Sequence, residues 1–144
     1  MSDYLKQLQD KTNNCPYGSS LGFKVVEVRP GYARVVATVQ PQHDSWIGRT
    51  HGGWLMSLAD HASSIVGNTI PGNYVATQFN IHFISTPDVG DRVEAEGRVL
   101  HQGKTLGLVE MKVTGSNGKL LAYATGNVLS IGDRAPRDNS RAAD

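Results

Sequence analysis

Gly48-Arg49-Thr50-His51-Gly52-Gly53-Trp54-Leu55-Met56-Ser57-Leu58-Ala59-Asp60-His61-Ala62-Ser63-Ser64-Ile65-Val66-Gly67-Asn68 is the stretch on which the fold turns. Across it Leu55, Leu58, Ala59, Ala62, Ile65 and Val66 recur at helical spacing and make a broad apolar face. Ser57, Asp60, His61, Ser64 and Asn68 recur on the other side. The spacing predicts one long helix over about Gly53 to Asn68, ended by Pro71-Gly72. A wide apolar face on a lone long helix needs a sheet to cover it.

The flanking sequence supplies that sheet. Upstream, Phe23 to Val28, the Pro30-Gly31 turn and the alternation Ala33, Val35, Ala37, Val39 read as a hairpin. Downstream, Val75, Thr77, Phe79, Ile81 and Phe83 alternate with smaller or polar residues. Val93–Val99 and Val109–Val113 do the same; Asn117-Gly118 signals another hairpin and Leu120–Ile131 a last strand. Short links favour antiparallel neighbours, so the expected class is α+β, one principal helix against one antiparallel sheet. Such a sheet has free edges, and pairing with a second copy is one way to cover them.

Ser2–Asn13 reads as a short N-terminal helix, and the tail from Gly132 is expected to fray. The expected organisation is therefore a helical extension over 1–16, the domain over 17–132 and a flexible tail over 133–144. The chain has 144 residues with 39% hydrophobic and 19% charged, enough for one disulfide-free core. A net charge of +1 argues against nucleic acid or anionic lipid as a partner. The longest apolar run, Leu120–Ala124, is too short for a membrane span or a secretory signal, which makes a cytoplasmic location the expectation. Cys15, alone, cannot form an internal disulfide.

The chemistry concentrates where the long helix begins. Gly52 and Gly53 bring bare backbone to whatever docks there, and first-turn N–H groups at the positive end of the helix dipole suit a developing oxyanion. Asp60 lies two turns further on, with Ser64 four residues beyond it on the same strip. Read on these residues alone, the strip is equally a solvent-facing side of an amphipathic helix.

His51-Gly52-Gly53 followed by Leu58-Ala59-Asp60 resembles the signature of hotdog-fold acyl-CoA thioesterases, in the phenylacetate-degradation branch. Asn80-Ile81-His82-Phe83, Pro87, Gly90-Asp91 and the Asn117-Gly118-Lys119 turn are similar too, and the likeness runs over about residues 18–131. The resemblance implies a curved antiparallel sheet wrapped round the helix, a homodimer or dimer of dimers, and an active site at the subunit interface. It implies an acyl-CoA or aroyl-CoA substrate, coenzyme A entering as part of that substrate, and no separate cofactor.

By the same resemblance Asp60 is the general base or the nucleophile, Gly52 the oxyanion donor and Ser64 a hydroxyl that orients water. A thioester is already activated, so a carboxylate and an oxyanion donor suffice without a Ser-His pair. Where many relatives carry Asn or Gln, six residues before His51, this chain has Ser45, which reaches less far. Gln42, His43 or Asp44 stand close enough in sequence to compensate. His51 is either an acid/base or a residue that fixes the loop. Gly53, Trp54, Ser57, His61, Thr77 and Lys104 are the expected substrate-binding residues. The histidines show no ligand spacing, so no metal is expected. Gly103-Lys104-Thr105 is not a phosphate loop, because Arg98 stands where its first glycine belongs. Two alternatives remain at this level: a hotdog hydratase or dehydratase, and a non-catalytic acyl-CoA binding or sensing protein, which Ser45 keeps open.

Overall fold

Among the described residues of the computed structural model, 1–70 and 72–132, the apolar face of the long helix is the centre of the molecule. Helix α1 covers Asp3–Asn13, helix α2 Pro16–Ser20, strands β1 and β2 Lys24–Arg29 and Tyr32–Thr38. A single 3-10 turn at Pro41–His43 leads to α3, Gly52–Gly67. Strands β3 to β6 follow at Tyr74–Phe83, Arg92–Gln102, Leu106–Gly115 and Leu120–Ser130. The expected tail, 133–144, and Pro71 lie outside the described residues.

One six-stranded antiparallel sheet runs in the order β1-β2-β4-β5-β6-β3. Leu58, Ala59, Ala62, Ile65 and Val66 of α3 are fully buried against it, with Val35, Val93, Ala95, Val109, Met111, Val113 and Ala124 facing them. Helix α3 touches β2, β3, β4, β5 and β6, so the sheet wraps it. The outward sheet residues carry charge instead: Arg34 reaches Glu27 and Glu94 at 3.4 and 3.5 Å, and Tyr32 donates to Glu96 at 2.9 Å.

Two features depart from the reading above. The short link between β3 and β4 does not make a hairpin. β3 pairs with β6 and lies at the sheet's far edge, while β4 pairs with β2. The crossing segment is tied by the Thr50 hydroxyl to the Pro87 carbonyl at 3.0 Å and by Gly90 N–H to the Val39 carbonyl at 2.9 Å. The even alternation through β3 also breaks. A bulge sets Thr77 and Gln78 opposite Asn127 alone, so Ala76, not Thr77, shares a face with Phe79, Ile81 and Phe83.

The N-terminal segment is more than the expected extension. Ser2 caps α1 by accepting from Leu5 N–H at 3.3 Å, and Leu5 is buried. The boundary expected between residues 16 and 17 falls inside α2, which begins on a proline at a first-turn position and packs on α3.

Candidate active site

The loop before α3 fixes how the helix opens. His51 holds extended backbone, its Nδ1 accepts from Gly53 N–H at 2.8 Å, and its carbonyl accepts from Trp54 N–H at 3.0 Å and Leu55 N–H at 3.5 Å. Its own N–H donates to the His43 carbonyl at 2.8 Å. Of the orphan donors in the first turn, Gly52 N–H alone finds no acceptor among the described residues. The ring of Phe83 lies beside it: a Cβ on Gly52 would sit 3.3 Å from Phe83 Cζ. Because Nδ1 of His51 serves the cap, only Nε2 of that ring can meet a ligand.

Along α3 the exposed residues are Gly53, Met56, Asp60 and Ser64, one narrow stripe between α2 on one side and β3 on the other. The carboxylate of Asp60 receives a 3.4 Å contact from the Ser63 hydroxyl, which donates to the Asp60 carbonyl at 2.8 Å, and no other partner among the described residues. Gly52 and Asp60 are about 12 Å apart along the axis, at 1.5 Å per residue. Ser64 donates to the His61 carbonyl at 2.9 Å.

The structure gathers His51, Gly52, Gly53, Trp54 and Ser57 at one end of the stripe, with Asp60 and Ser64 further along. Trp54 is buried rather than open to the stripe, stacked on His43 at 4.9 Å with its indole N–H donating to the Leu21 carbonyl at 3.3 Å. Ser45 sits in a tight loop, its N–H on the Arg49 carbonyl at 2.6 Å, and its hydroxyl has no protein partner among the described residues. His61 turns away from the stripe, packed on Phe23 at 5.7 Å. Thr77 and Lys104 are at the opposite end. Thr77 lies six residues from Phe83, roughly 20 Å along the strand. The turn of Lys104 joins the end of β6 through Ser130 N–H to the Thr105 carbonyl at 2.8 Å. Among the described residues no group of three or more His, Cys, Asp or Glu converges as a metal site would need, and no helix is long and apolar enough to cross a membrane.

Tyr17 and Leu21 are residues that the sequence reading passed over. They line a cleft of about 190 Å³ with Asp44, Gly53, Trp54 and Ser57 at the head of α3. The available signal was Pro16, which favours a helix start, but Pro16–Ser20 is too short to show a period. A larger hollow of about 460 Å³ lies between α1 and the start of β3, beside Asn68 at the other end of α3 and away from the stripe's chemistry.

Burial pushes both His61 and His43 below the ordinary histidine value, against the raising effects of Asp60 and Asp44 respectively. The Nε2 of His61 is buried with no hydrogen-bond partner among the described residues. A histidine that is harder to protonate folded than unfolded contributes stability above its unfolded value, and loses it as pH falls through the folded one. The melting temperature is therefore expected to decline as pH drops below about 6.5. His61→Gln should flatten that slope in a pH series of thermal melts.

A family model described as the thioesterase superfamily matches residues 47–122, which span the end of the loop, all of α3, strands β3 to β5 and the first residues of β6. The chain belongs to the thioesterase superfamily. Acyl-coenzyme A thioesterase PaaI of Escherichia coli is 32% identical over 113 residues, 78% of this chain and 81% of its own. The E. coli PaaI structure superposes with a TM-score of 0.86 at 30% identity, covering 91% of this chain and 96% of that one. Acyl-coenzyme A thioesterase 13 of Homo sapiens is 31% identical over 103 residues, 68% of this chain and 72% of its own. A Streptococcus mutans protein bound to acetyl-CoA superposes with a TM-score of 0.75 at 27% identity, covering 79% of this chain and 92% of that one. This superfamily member has the hotdog fold, falls in the PaaI-type branch and is a thioester hydrolase by class.

Proposed function

We propose that the chain hydrolyses acyl-CoA thioesters at a site made jointly by two copies. The observation that carries this is the free Gly52 N–H opening beside the stripe that bears Asp60. The thioester carbonyl oxygen accepts from Gly52, and the helix dipole favours the charge that develops there. Asp60 takes a proton from water as the water oxygen bonds to the carbonyl carbon. The tetrahedral oxyanion then collapses, the C–S bond breaks, and the thiolate takes up the proton to leave as CoA beside the free acid. In the other route Asp60 attacks the carbonyl carbon itself, the C–S bond breaks to release the CoA thiolate, and water cleaves the resulting anhydride to the free acid and the restored carboxylate, its spare proton going to the thiolate. The acyl-coenzyme A thioesterases among the relatives, and a similar structure that holds acetyl-CoA, support this substrate class.

Geometry within one chain favours the second copy. About 12 Å between Gly52 and Asp60 is too far for a carboxylate to attack a carbonyl held on that N–H. Strand β3 is an edge strand of ten residues, bearing half-exposed Val75 and Phe83. Pairing two β3 edges antiparallel lays the Thr77 and Lys104 end of one copy beside the Gly52 end of the other. Lys104 there serves as a point charge for CoA phosphates, and Thr77 as a hydroxyl near the reacting group. The reading needs no metal or further cofactor.

The decisive assay measures free thiol released from a panel of short, long and aromatic acyl-CoAs. Turnover of at least one supports the proposal; binding without turnover across the panel favours the sensing alternative that Ser45 raises. Ser45→Asn introduces the longer amide that the family resemblance places at this position, and the expected result is equal or higher kcat. A collapse of kcat in that variant would show that the serine hydroxyl has a task of its own.

A further inference from the structure

Helix α2 is held against the head of α3 by three separate contacts. The Tyr17 and Ser57 hydroxyls share a hydrogen bond at 2.7 Å, and the Trp54 indole N–H reaches the Leu21 carbonyl at 3.3 Å. Gly18 lies so close to His61 that an added Cβ would be 2.9 Å from its Cε1. Phe23 locks the same corner, edge-on to Trp54 at 5.9 Å. The result is a cleft of about 190 Å³ with Trp54 and His43 as its buried floor and Tyr17, 62% exposed, as its outer wall. It opens at Gly53 and Ser57, one residue from the Gly52 N–H.

The lining says which part of a thioester fits. No lysine or arginine lines the cleft among the described residues, and Asp44 does, which disfavours the phosphate-bearing end of CoA. Tyr17, Leu21 and Trp54 offer apolar surface with one shared hydroxyl pair. The volume equals roughly six water molecules, which matches a short or compact acyl group.

We propose that Tyr17 is a specificity-determining residue, the wall that limits the size of the acyl group lodged beside Gly53. The inference rests on the thioesterase reading above and adds a segment, α2, that lies outside the matched family region.

The test is a ladder of straight-chain substrates, acetyl-CoA to lauroyl-CoA, with kcat/KM measured for wild type, Tyr17→Ala and Tyr17→Phe. A parallel ladder of non-hydrolysable thioether analogues gives Kd. Tyr17→Ala is expected to raise the long-to-short ratio of kcat/KM roughly ten-fold, the scale at which a pocket discriminates chain length. Tyr17→Phe keeps the ring and should retain most of the wild-type ratio. An unchanged ratio in a folded Tyr17→Ala protein overturns the proposal. If melting shows that variant unfolded, Tyr17→Leu carries the same comparison. If wild type cleaves no thioester, the hydrolase reading fails separately, and the Kd ladder still decides the wall: a shift in length preference supports it and none overturns it.

Discussion

Asp60→Asn is expected to lower kcat by at least about a thousand-fold while the thioether analogue binds as before. A positioned general base typically contributes two to four powers of ten, and a lost nucleophile more. Asparagine keeps the shape and hydrogen-bonding reach of the side chain but can neither take a proton from water at neutral pH nor attack a carbonyl. The fold should not suffer. Asp60 is exposed, its one side-chain hydrogen bond among the described residues is the 3.4 Å approach of Ser63, and that hydroxyl donates chiefly to a backbone carbonyl. Thermal melts should therefore agree with wild type within the small range of surface substitutions, about 0.5 kcal/mol. Full activity in Asp60→Asn would remove the carboxylate from the mechanism. Lost activity together with lost analogue binding would make it a binding group instead.

What could be read without coordinates followed the range of the physics. Helix α3 was legible because its apolar face repeats over four turns, and Leu58, Ala62 and Ile65 have no alternative use. The strands were legible by alternation, and Asn117-Gly118 and Pro30-Gly31 marked their turns. Non-local pairing was not. The link after Phe83 is short enough for a hairpin, and only the helix lying between β2 and β3 sends β3 to the edge beyond β6. The bulge at Thr77 leaves no mark in composition, because it is a matter of register with Asn127. At the site, the use of His51 as a cap follows from a side chain folding back two residues, a local event. That cap engages Gly53 and leaves Gly52 as the free donor. The wall built by Tyr17 depends on a contact forty residues away, with Ser57. No motif spacing encodes it.

The strongest test of a shared site pairs Asp60→Asn with Gly52→Pro. Gly52 is the first residue of α3, where proline's missing N–H is one the helix does not use and its fixed φ suits the first turn. His51 before it is already extended, as a residue preceding proline must be. The ring would meet Phe83 just inside van der Waals distance, a Cβ there lying 3.3 Å from Phe83 Cζ, and Phe83 is a side chain rather than backbone, so a few tenths of an ångström of adjustment relieves it. Gly52→Pro therefore deletes one hydrogen bond to the oxyanion and little else, and kcat should fall about a hundred- to a thousand-fold. Each variant alone is then nearly inactive. If a site takes Gly52 from one copy and Asp60 from the other, a mixed dimer has one site with both substitutions and one with neither. Unfolding and refolding an equal mixture makes about half the dimers mixed under two-fold symmetry, so activity should return to about a quarter of wild type. If both groups come from the same chain, every site in the mixture carries one lesion and nothing returns. Recovery also requires that the copies associate, so it reports the oligomer and the division of the catalytic groups in one measurement. A recovery that vanishes on dilution would put the cause in the β3 edge, where Val75 and Phe83 wait for a neighbour.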